Sequence, residues 1–213
     1  MKPPVIFADE AILVIDKPAG VKVDQIQQQT QAILVHRLDR DTSGVMVLAK
    51  TESSAQDLRK QFEERRVVKK YLALVHGTMK SDSGLITTPL AKHPKNKARV
   101  TVGGSTDRSA ITEWRRIQSY LGRADGIESY SLLELTPHTG RTHQLRVHLK
   151  SIQHPIVADP LYGFAKKLAA DLAWCPRLFL HAQLLQFRHP TTSQIVTFTA
   201  PLPADLALVL TRI

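Results

Sequence analysis

Apolar residues occur in short runs along the chain, and most of these runs have the length and composition of β-strands. Residues 5–15 contain two such runs around a short polar break, which predicts a β-hairpin. The runs AILV (residues 32–35) and VMVLA (residues 45–49) are apolar and partly β-branched, so they predict buried strands on either side of the segment HRLDRDTSG. Further strands are predicted over residues 67–76, 110–117, 128–136 and 194–200.

Helical spacing is found in fewer places. Apolar residues recur every three or four positions over residues 53–65, which predicts a helix, and Ser53 and Gln56 resemble a capping box at its start. The segment THQLRVHLKSI (residues 142–152) predicts a second helix, and the glutamine-rich residues 24–32 predict a loop or a short surface helix. Because strands outnumber helices and do not alternate regularly with them, the pattern indicates an α+β fold.

Composition adds a partner class to this picture. The chain has 213 residues, and its 29 Lys and Arg against 19 Asp and Glu give a formal net charge of +10. Such a surplus favours a polyanionic partner, most commonly nucleic acid, although a basic protein without such a partner stays possible. The length suits one domain, so we expect residues 1–213 to form a single domain.

Two further features bear on location. No stretch is apolar for long enough to span a bilayer, so we expect no membrane association. The single cysteine, Cys175, cannot form an internal disulfide and fits a reducing compartment. We therefore expect a cytoplasmic protein in which Cys175 is a packed thiol.

Positive charge is concentrated in two segments. Residues 59–70 contain six positive and two negative charges, and residues 92–108 contain a second basic run that includes Lys95 and Lys97. Basic runs usually solvate a surface, but together with the net charge they suit a groove that follows phosphates. Tyr71 directly follows the first run and could stack on a base, although a tyrosine in a strand more often packs in a core.

The segment HRLDRDTSG has the highest density of chemically active side chains. Charged residues at the mouth of a buried strand cost desolvation free energy unless they are paired or used in a reaction. The spacing leaves two alternatives open, a strand end with surface salt bridges or a catalytic carboxylate. The residues concerned are His36, Arg37, Asp39, Arg40 and Asp41.

A second group of such side chains lies in TPHTGRTHQLRVH. Its histidines, His138, His143 and His148, are five positions apart, and this spacing turns them away from one common face of a helix. We therefore predict no metal site there. Arg141 follows a glycine at a turn that leads into a helix, where a guanidinium could bind phosphate or hold a carboxylate, or simply face solvent.

These segments, taken together and in order, resemble the RluA-type family of pseudouridine synthases. The matching pieces are VIFADEAILVIDKPAGV, HRLDRDTSGVMVLAKT, VKKYLALVHG, LTPHTGRTHQLRVHL, HPIVADPLYG and RLFLHAQLLQFRHP, and they extend over about residues 5–205. The resemblance implies an α+β fold, in which a bent mixed, largely antiparallel sheet has flanking helices and a central cleft. Because the first motif begins near Val5, we expect no S4-type N-terminal domain, and the segment at residues 21–35 is shorter than is usual in the family.

The resemblance also implies roles for individual residues. Asp39 matches the catalytic aspartate, Tyr71 matches the tyrosine that packs against the target base, and Arg141 matches the basic residue that pairs with the aspartate. All three are then expected to converge in one basic cleft. The expected RNA contacts are Arg37, Arg40, Lys69, Lys70, His143 and Leu145.

The activity that the resemblance implies is the isomerisation of specific uridines in ribosomal or transfer RNA to pseudouridine. An isomerisation needs no redox chemistry, so we expect no cofactor and no metal, and we expect a monomer without an obligate protein partner. Two alternatives stay open. One is a non-catalytic RNA-binding module on the same fold, and the other is a hydrolase that uses Asp39 to cleave a glycosyl bond.

Overall fold

The computed structural model describes residues 2–94, 99–103, 108–121 and 128–213. Lys95 and Lys97 of the second basic run lie outside the described residues. The chain divides into two compact units, of which unit 1 comprises Met1–Lys70 and His181–Leu202, and unit 2 comprises Tyr71–Leu180 and Pro203–Ile213.

The structure contains each predicted helix and strand, together with further ones that were not predicted. The elements are β1 (Val5–Ala8), β2 (Ile12–Lys17), α1 (Val23–Thr30), β3 (Ile33–Leu34), β4 (Ser43–Ala49), α2 (Glu52–Glu63), β5 (Val68–His76), β6 (Ser83–Ile86), β7 (Leu90–Lys92), β8 (Val100–Val102), β9 (Thr112–Leu121), β10 (Ser129–Pro137), α3 (Gln144–Ser151), α4 (Leu168–Leu172), β11 (Leu180–Arg188), β12 (Ile195–Thr199) and α5 (Ala204–Leu210). Among the elements that were not predicted are β6, α4, β11 and α5.

Unit 1 is built on a mixed sheet with the strand order β1-β2-β4-β11. The predicted hairpin is confirmed, because β1 and β2 pair antiparallel, and β2 pairs antiparallel with β4. β4 runs parallel to β11, with Ser43 opposite His181 and Gly44 opposite Ala182. β3 adds to β4 and β12 adds to β11, both antiparallel.

The core of unit 1 forms where α2 packs on this sheet. β4 is buried along its whole length, which fits its unbroken apolar sequence. Ala55 and Leu58 of α2 lie in the same cluster as Val45 and Val47 of β4. The predicted capping box at Ser53 is wrong. Thr51 is the N-cap, because its backbone is extended and its hydroxyl accepts the Ser54 N–H at 3.2 Å, whereas Ser53 is already helical.

Gly44 marks a close approach of two backbones in unit 1. Its φ is +121°, and a Cβ at this position would lie 2.1 Å from the Ala182 carbonyl oxygen. Only glycine therefore allows β4 and β11 to approach this closely, directly after the segment that contains Asp39.

Unit 2 contains an antiparallel sheet with the order β5-β10-β9-β6, and β7 and β8 form a separate two-stranded hairpin. α3 packs on this hairpin through a small apolar cluster that contains Leu90, Val147 and Tyr162, with Val100 against it. The helix at residues 142–152 is thereby confirmed as α3, beginning at Gln144.

The glutamine-rich segment forms helix α1, which decides between the two predicted alternatives. Ile26 is its buried residue, and the Gln25 side chain accepts the Lys22 N–H at its start at 3.0 Å. Within the described part of the chain, no helix is long and apolar enough to cross a bilayer.

Candidate functional site

The Asp39 turn, residues 37–41, lies in unit 1 between β3 and β4. Arg37 and Arg40 are exposed, and Asp39 is half-buried. The Asp39 carbonyl accepts the Thr42 N–H at 3.2 Å, which closes the turn just before β4 begins. The turn therefore presents one carboxylate and two guanidinium groups at the edge of a fully buried strand.

A buried lysine holds the Asp39 turn in place. Lys17, at the end of β2, is fully buried, and its ammonium donates to the carbonyls of Pro18 (2.9 Å), Val21 (2.9 Å) and Arg40 (3.0 Å). The Gly20 N–H also donates to the Arg40 carbonyl, at 2.8 Å. The KPAG turn and the Asp39 turn are thus joined at a single carbonyl, one residue from Asp39.

The Asp39 turn contains an exposed ion pair of the kind that the salt-bridge alternative predicts. Arg40 and Asp41 form an ion pair with 2.9 Å between Nε and Oδ1, and their side chains are 59% and 30% exposed. Such an exposed pair contributes little to stability. The adjacent carboxylate, Asp39, is a separate group on the same turn.

His36 precedes the turn as a neutral side chain. Its ring stacks on Phe62 with 4.5 Å between centroids, and its Nε2 accepts the Val47 N–H at 3.1 Å. Burial, with a smaller effect of the Lys69 charge, lowers the pKa of His36 to about 3. The histidine of HRLD therefore anchors the chain to β4 and carries no charge near neutral pH.

The basic pair Lys69 and Lys70 and the aromatic residue Tyr71 are consecutive in β5. All three are half-buried, and burial lowers the pKa of Lys69. Lys70 ends the first segment of unit 1, and Tyr71 begins unit 2, where it lies opposite Leu135 in the pairing of β5 with β10.

The Arg141 turn, residues 139–143, lies in unit 2 between β10 and α3. Arg141 is half-buried, and its Nε donates to the Ser109 carbonyl at 3.2 Å. Its backbone N–H donates to the side chain of Gln144 at 3.0 Å. The guanidinium and the backbone of Arg141 are therefore both held by neighbours.

His143 and Leu145 complete this region. His143 has a left-handed backbone with φ of 55°, and its Nδ1 lies 2.9 Å from the Tyr162 hydroxyl. Leu145 is buried in α3, with 7% of its surface exposed. Arg141, His143 and Leu145 thus lie within five residues of one another in unit 2, at the Arg141 turn and the start of α3.

Each of the three histidines in this segment has its own partner. His138 pairs with Glu113, His143 with Tyr162, and His148 with Thr112 and the Thr88 carbonyl. Across residues 2–94, 99–103, 108–121 and 128–213, no group of three or more His, Cys, Asp or Glu is arranged to hold a metal ion.

Cys175 is a packed thiol, as predicted. It is buried, its Sγ donates to the Arg177 carbonyl at 3.1 Å, and burial raises its pKa to about 12. A thiol with such a pKa is not a nucleophile near neutral pH.

Two supporting residues were not identified from the sequence. Lys17 had a signal, because a lysine at the end of an apolar strand and directly before a proline has to find partners for a buried ammonium. Gln144 had no such signal, because a glutamine in the first turn of a helix is ordinarily solvated.

The pattern of a known family matches the segment that contains both turns. The RNA pseudouridylate synthase family matches residues 11–151. Among curated relatives, a ribosomal large subunit pseudouridine synthase D from Nitrosomonas europaea is 36% identical over 98% of this chain and 64% of its own length. The protein of the same name from Xanthomonas campestris is 36% identical over 95% of this chain and 66% of its own length. The chain thus spans slightly less than two thirds of the length of these relatives.

The chain covers more of another relative, an uncharacterized RNA pseudouridine synthase from Chlorobaculum parvum. The two are 34% identical over 98% of this chain and 73% of the relative's length. Two solved structures are also similar. Human RNA Pseudouridylate Synthase Domain Containing 1 has a TM-score of 0.81 at 28% identity and covers 96% of this chain and 87% of its own. Human RNA Pseudouridylate Synthase Domain Containing 4 has a TM-score of 0.78 at 26% identity and covers 98% and 92%. The predicted α+β fold is thereby confirmed.

Proposed function

The chain belongs to the RNA pseudouridylate synthase family, and on this premise we propose that it is an isomerase that converts uridines in RNA to pseudouridine. The observation that carries the proposal is the family match over residues 11–151, because this one segment contains Asp39, Tyr71 and Arg141. The net charge of +10 supports RNA as the substrate.

The chemistry of the reaction suits these residue types. Uridine has to lose its N1–C1′ bond, turn its base, and rejoin the sugar through C5. A carboxylate can attack C1′, add to C6 of the base, or promote loss of the C2′ proton, and in each case it has to be ionised. We assign this role to Asp39. The guanidinium of Arg141 is proposed to pair with Asp39 and favour its charged form.

Tyr71 is assigned to the target base. A uridine within stacked RNA has to be flipped out before its glycosidic bond can react. An aromatic ring replaces the stacking that the flipped base has lost. Tyr71 directly follows the basic pair Lys69 and Lys70 in β5. This order supports the assignment of Tyr71 to the target base.

The remaining assigned residues are proposed to hold the RNA. The exposed side chains of Arg37 and Arg40 suit contacts to phosphates beside the target nucleotide. The group consists of Arg37, Arg40, Lys69, Lys70, His143 and Leu145. Leu145, which is buried in α3, is expected to line the pocket for the target base.

The substrate and the setting are also proposals. Because relatives are named for the ribosomal large subunit, we propose large-subunit ribosomal RNA as the first substrate to test, with transfer RNA as the second. Residues 1–213 are proposed to act as one catalytic domain, since the family match includes parts of both units. We further propose that the protein works in the cytoplasm, as a monomer.

The test compares the wild-type chain with Asp39→Asn on large-subunit ribosomal RNA and on transfer RNA, both transcribed without modification. Pseudouridine is measured by mass spectrometry, folding by circular dichroism and RNA affinity by filter binding. The wild type is expected to form pseudouridine, while Asp39→Asn folds, binds RNA and forms none. Full activity of Asp39→Asn would contradict the assignment of Asp39.

The same assay separates the alternatives. Salt-sensitive RNA binding without pseudouridine would indicate a non-catalytic module, and release of free uracil would indicate a hydrolase. Pseudouridine mapping in cells with and without the gene then identifies the substrate, because the position that loses its modification is the target.

A further inference from the structure

We propose that Gln144 is a positioning residue for Arg141. This inference rests on the role proposed above for Arg141. The Gln144 side chain is buried, with 4% of the residue exposed, and its Oε1 accepts the Arg141 N–H at 3.0 Å and the Thr139 hydroxyl at 2.7 Å. One amide oxygen therefore binds both Thr139 and Arg141, the first and third residues of the Arg141 turn.

The other end of the amide holds the start of β9. Its Nε2 donates to the Ile111 carbonyl and to the Thr112 hydroxyl, both at 3.0 Å. A carbonyl only accepts and a backbone N–H only donates, so the Ile111 carbonyl and the Arg141 N–H fix which end of the amide faces which neighbour. All four hydrogen-bonding positions of Gln144 are used, and the side chain has one orientation.

These bonds set the distance between the Arg141 turn and the segment at residues 109–112. The Ile111 N–H donates to the Thr139 hydroxyl at 2.9 Å, and Arg141 Nε donates to the Ser109 carbonyl at 3.2 Å. The guanidinium is thus held against the same segment to which Gln144 ties its backbone. A displacement of about 1 Å at a reacting group lowers rates by up to about 100-fold, so this distance matters for catalysis.

A buried histidine supports the arrangement from behind. His148 Nε2 lies 2.9 Å from the Thr88 carbonyl and therefore carries a proton, while its Nδ1 lies 2.9 Å from the Thr112 hydroxyl. Burial lowers the pKa of His148, so its ring is neutral and Nδ1 accepts the Thr112 proton. The Thr112 oxygen then accepts from Gln144, and each polar group in this set has a partner.

The chain offers a matched control for a test. Gln61 of α2 is also a buried glutamine whose amide binds backbone at both ends, since it donates to the Arg188 carbonyl at 2.7 Å and accepts the Arg188 N–H at 2.9 Å. It lies in unit 1 and is assigned no part in RNA binding or catalysis. Gln61→Met and Gln144→Met therefore remove the same kind of support at two different places.

The experiment measures kcat, KM and the melting temperature of both variants, with the large-subunit ribosomal RNA transcript as substrate. Both are expected to lower the melting temperature by about 3–8 °C. Gln144→Met is expected to lower kcat by about 10- to 100-fold with KM within about two-fold, while Gln61→Met leaves kcat within about two-fold. Equal kcat values for the two variants would overturn the proposal.

Gln144→Glu covers the case in which Gln144→Met does not fold. A carboxylate still accepts from Arg141 and Thr139 but cannot donate to the Ile111 carbonyl, so it keeps the bond that positions Arg141 and loses stability. We expect kcat to decrease in the order wild type, Gln144→Glu, Gln144→Met. The melting temperature is not expected to follow this order. If kcat of Gln144→Glu falls in proportion to its stability loss, Gln144 has only a structural role.

A readout without RNA separates this proposal from the proposed function. The wild-type Arg141 amide proton is expected to exchange slowly with solvent by NMR, and the Arg141 Nε–H resonance to shift in Gln144→Met but not in Gln61→Met. Fast exchange in the wild type, or an unchanged resonance, overturns the positioning role. Absence of pseudouridine formation by the wild type overturns the function instead.

Discussion

The Asp39 turn and the Arg141 turn are both held by one buried side chain, but the two side chains differ in charge. In unit 1, the Lys17 ammonium donates to three backbone carbonyls, one of which belongs to the residue after Asp39. In unit 2, the neutral amide of Gln144 binds the backbone N–H of Arg141 itself. Each support matches the backbone groups that it holds, donors for carbonyls in unit 1 and an acceptor for the Arg141 N–H in unit 2.

The difference has a physical reason. An ammonium has three donors and no acceptor, which suits the three carbonyls that Lys17 holds. A cation beside Arg141 would repel the guanidinium. A neutral amide holds Arg141 without this effect. The candidate catalytic groups are therefore supported by side chains that do not oppose their charges.

The largest effect is expected for Lys17→Met. Methionine has nearly the same length but donates no hydrogen bond, so three carbonyls lose a buried partner and the free energy of unfolding falls by about 3–5 kcal/mol. Urea denaturation measures this loss. Lys50→Met is the control, because Lys50 is exposed and contacts the Asp9 carbonyl. A loss for Lys17→Met no greater than for Gln144→Met would remove the distinction between the two turns.

The pH dependence of stability is expected to have a contribution from one histidine in each of the same two units. The pKa of His36 is about 3 in the folded chain and about 6.5 when unfolded, so the unfolded state binds more protons between these values. Stability from His36 is complete above pH 6.5 and decreases as the pH falls, by about 2 kcal/mol at pH 5.

His36→Gln tests this prediction, because an amide oxygen can still accept the Val47 N–H but does not titrate. Urea midpoints at pH 5 and pH 7 should differ less in the variant than in the wild type. His148→Gln in unit 2 is the comparison, and it should also flatten the profile, since burial lowers the pKa of His148. A His36→Gln profile identical to the wild type would show that another group causes the acid sensitivity.

Arg141→Lys tests the second turn through activity. Lysine keeps the charge but lacks the planar guanidinium that donates from Nε to the Ser109 carbonyl, so kcat is expected to fall about 10-fold with little change in RNA affinity. Steady-state kinetics on the ribosomal transcript measures this. Arg37→Lys on the Asp39 turn should change affinity more than kcat, and the opposite result would exchange the proposed roles of these two arginines.

The smallest effect is expected for Arg40→Gln. Its exposed pair with Asp41 adds little to stability, so the urea midpoint should stay the same. If Arg40 contacts a phosphate, the salt dependence of RNA binding should decrease by about one unit of slope. Arg115→Gln, an exposed arginine of unit 2 paired with Glu134, is expected to leave the slope unchanged. Equal slopes for both variants would remove Arg40 from the RNA contacts.

Much of the fold was predictable where the signal is local. β4 is an unbroken apolar run, and α2 repeats apolar residues at helical spacing, so both were predicted within a few residues of their ends. β11 was not predicted as a strand, because His181, Gln183 and Gln186 interrupt its apolar run. The cap at Thr51 was also missed, because backbone conformation, which sequence motifs only suggest, decides which of several hydroxyls caps a helix.

The candidate site also has a part that was predictable from the sequence and a part that was not. The sequence by itself determined which side chains are candidates for the chemistry, because Asp39, Tyr71 and Arg141 are recognised through their resemblance to the family's motifs of adjacent residues. Only the tertiary structure showed what supports them, namely a lysine 22 positions before Asp39 and an amide that joins the Arg141 turn to β9. The reason is that a buried polar group has to be satisfied by whichever donors and acceptors folding brings within about 3 Å, and no local pattern records those partners.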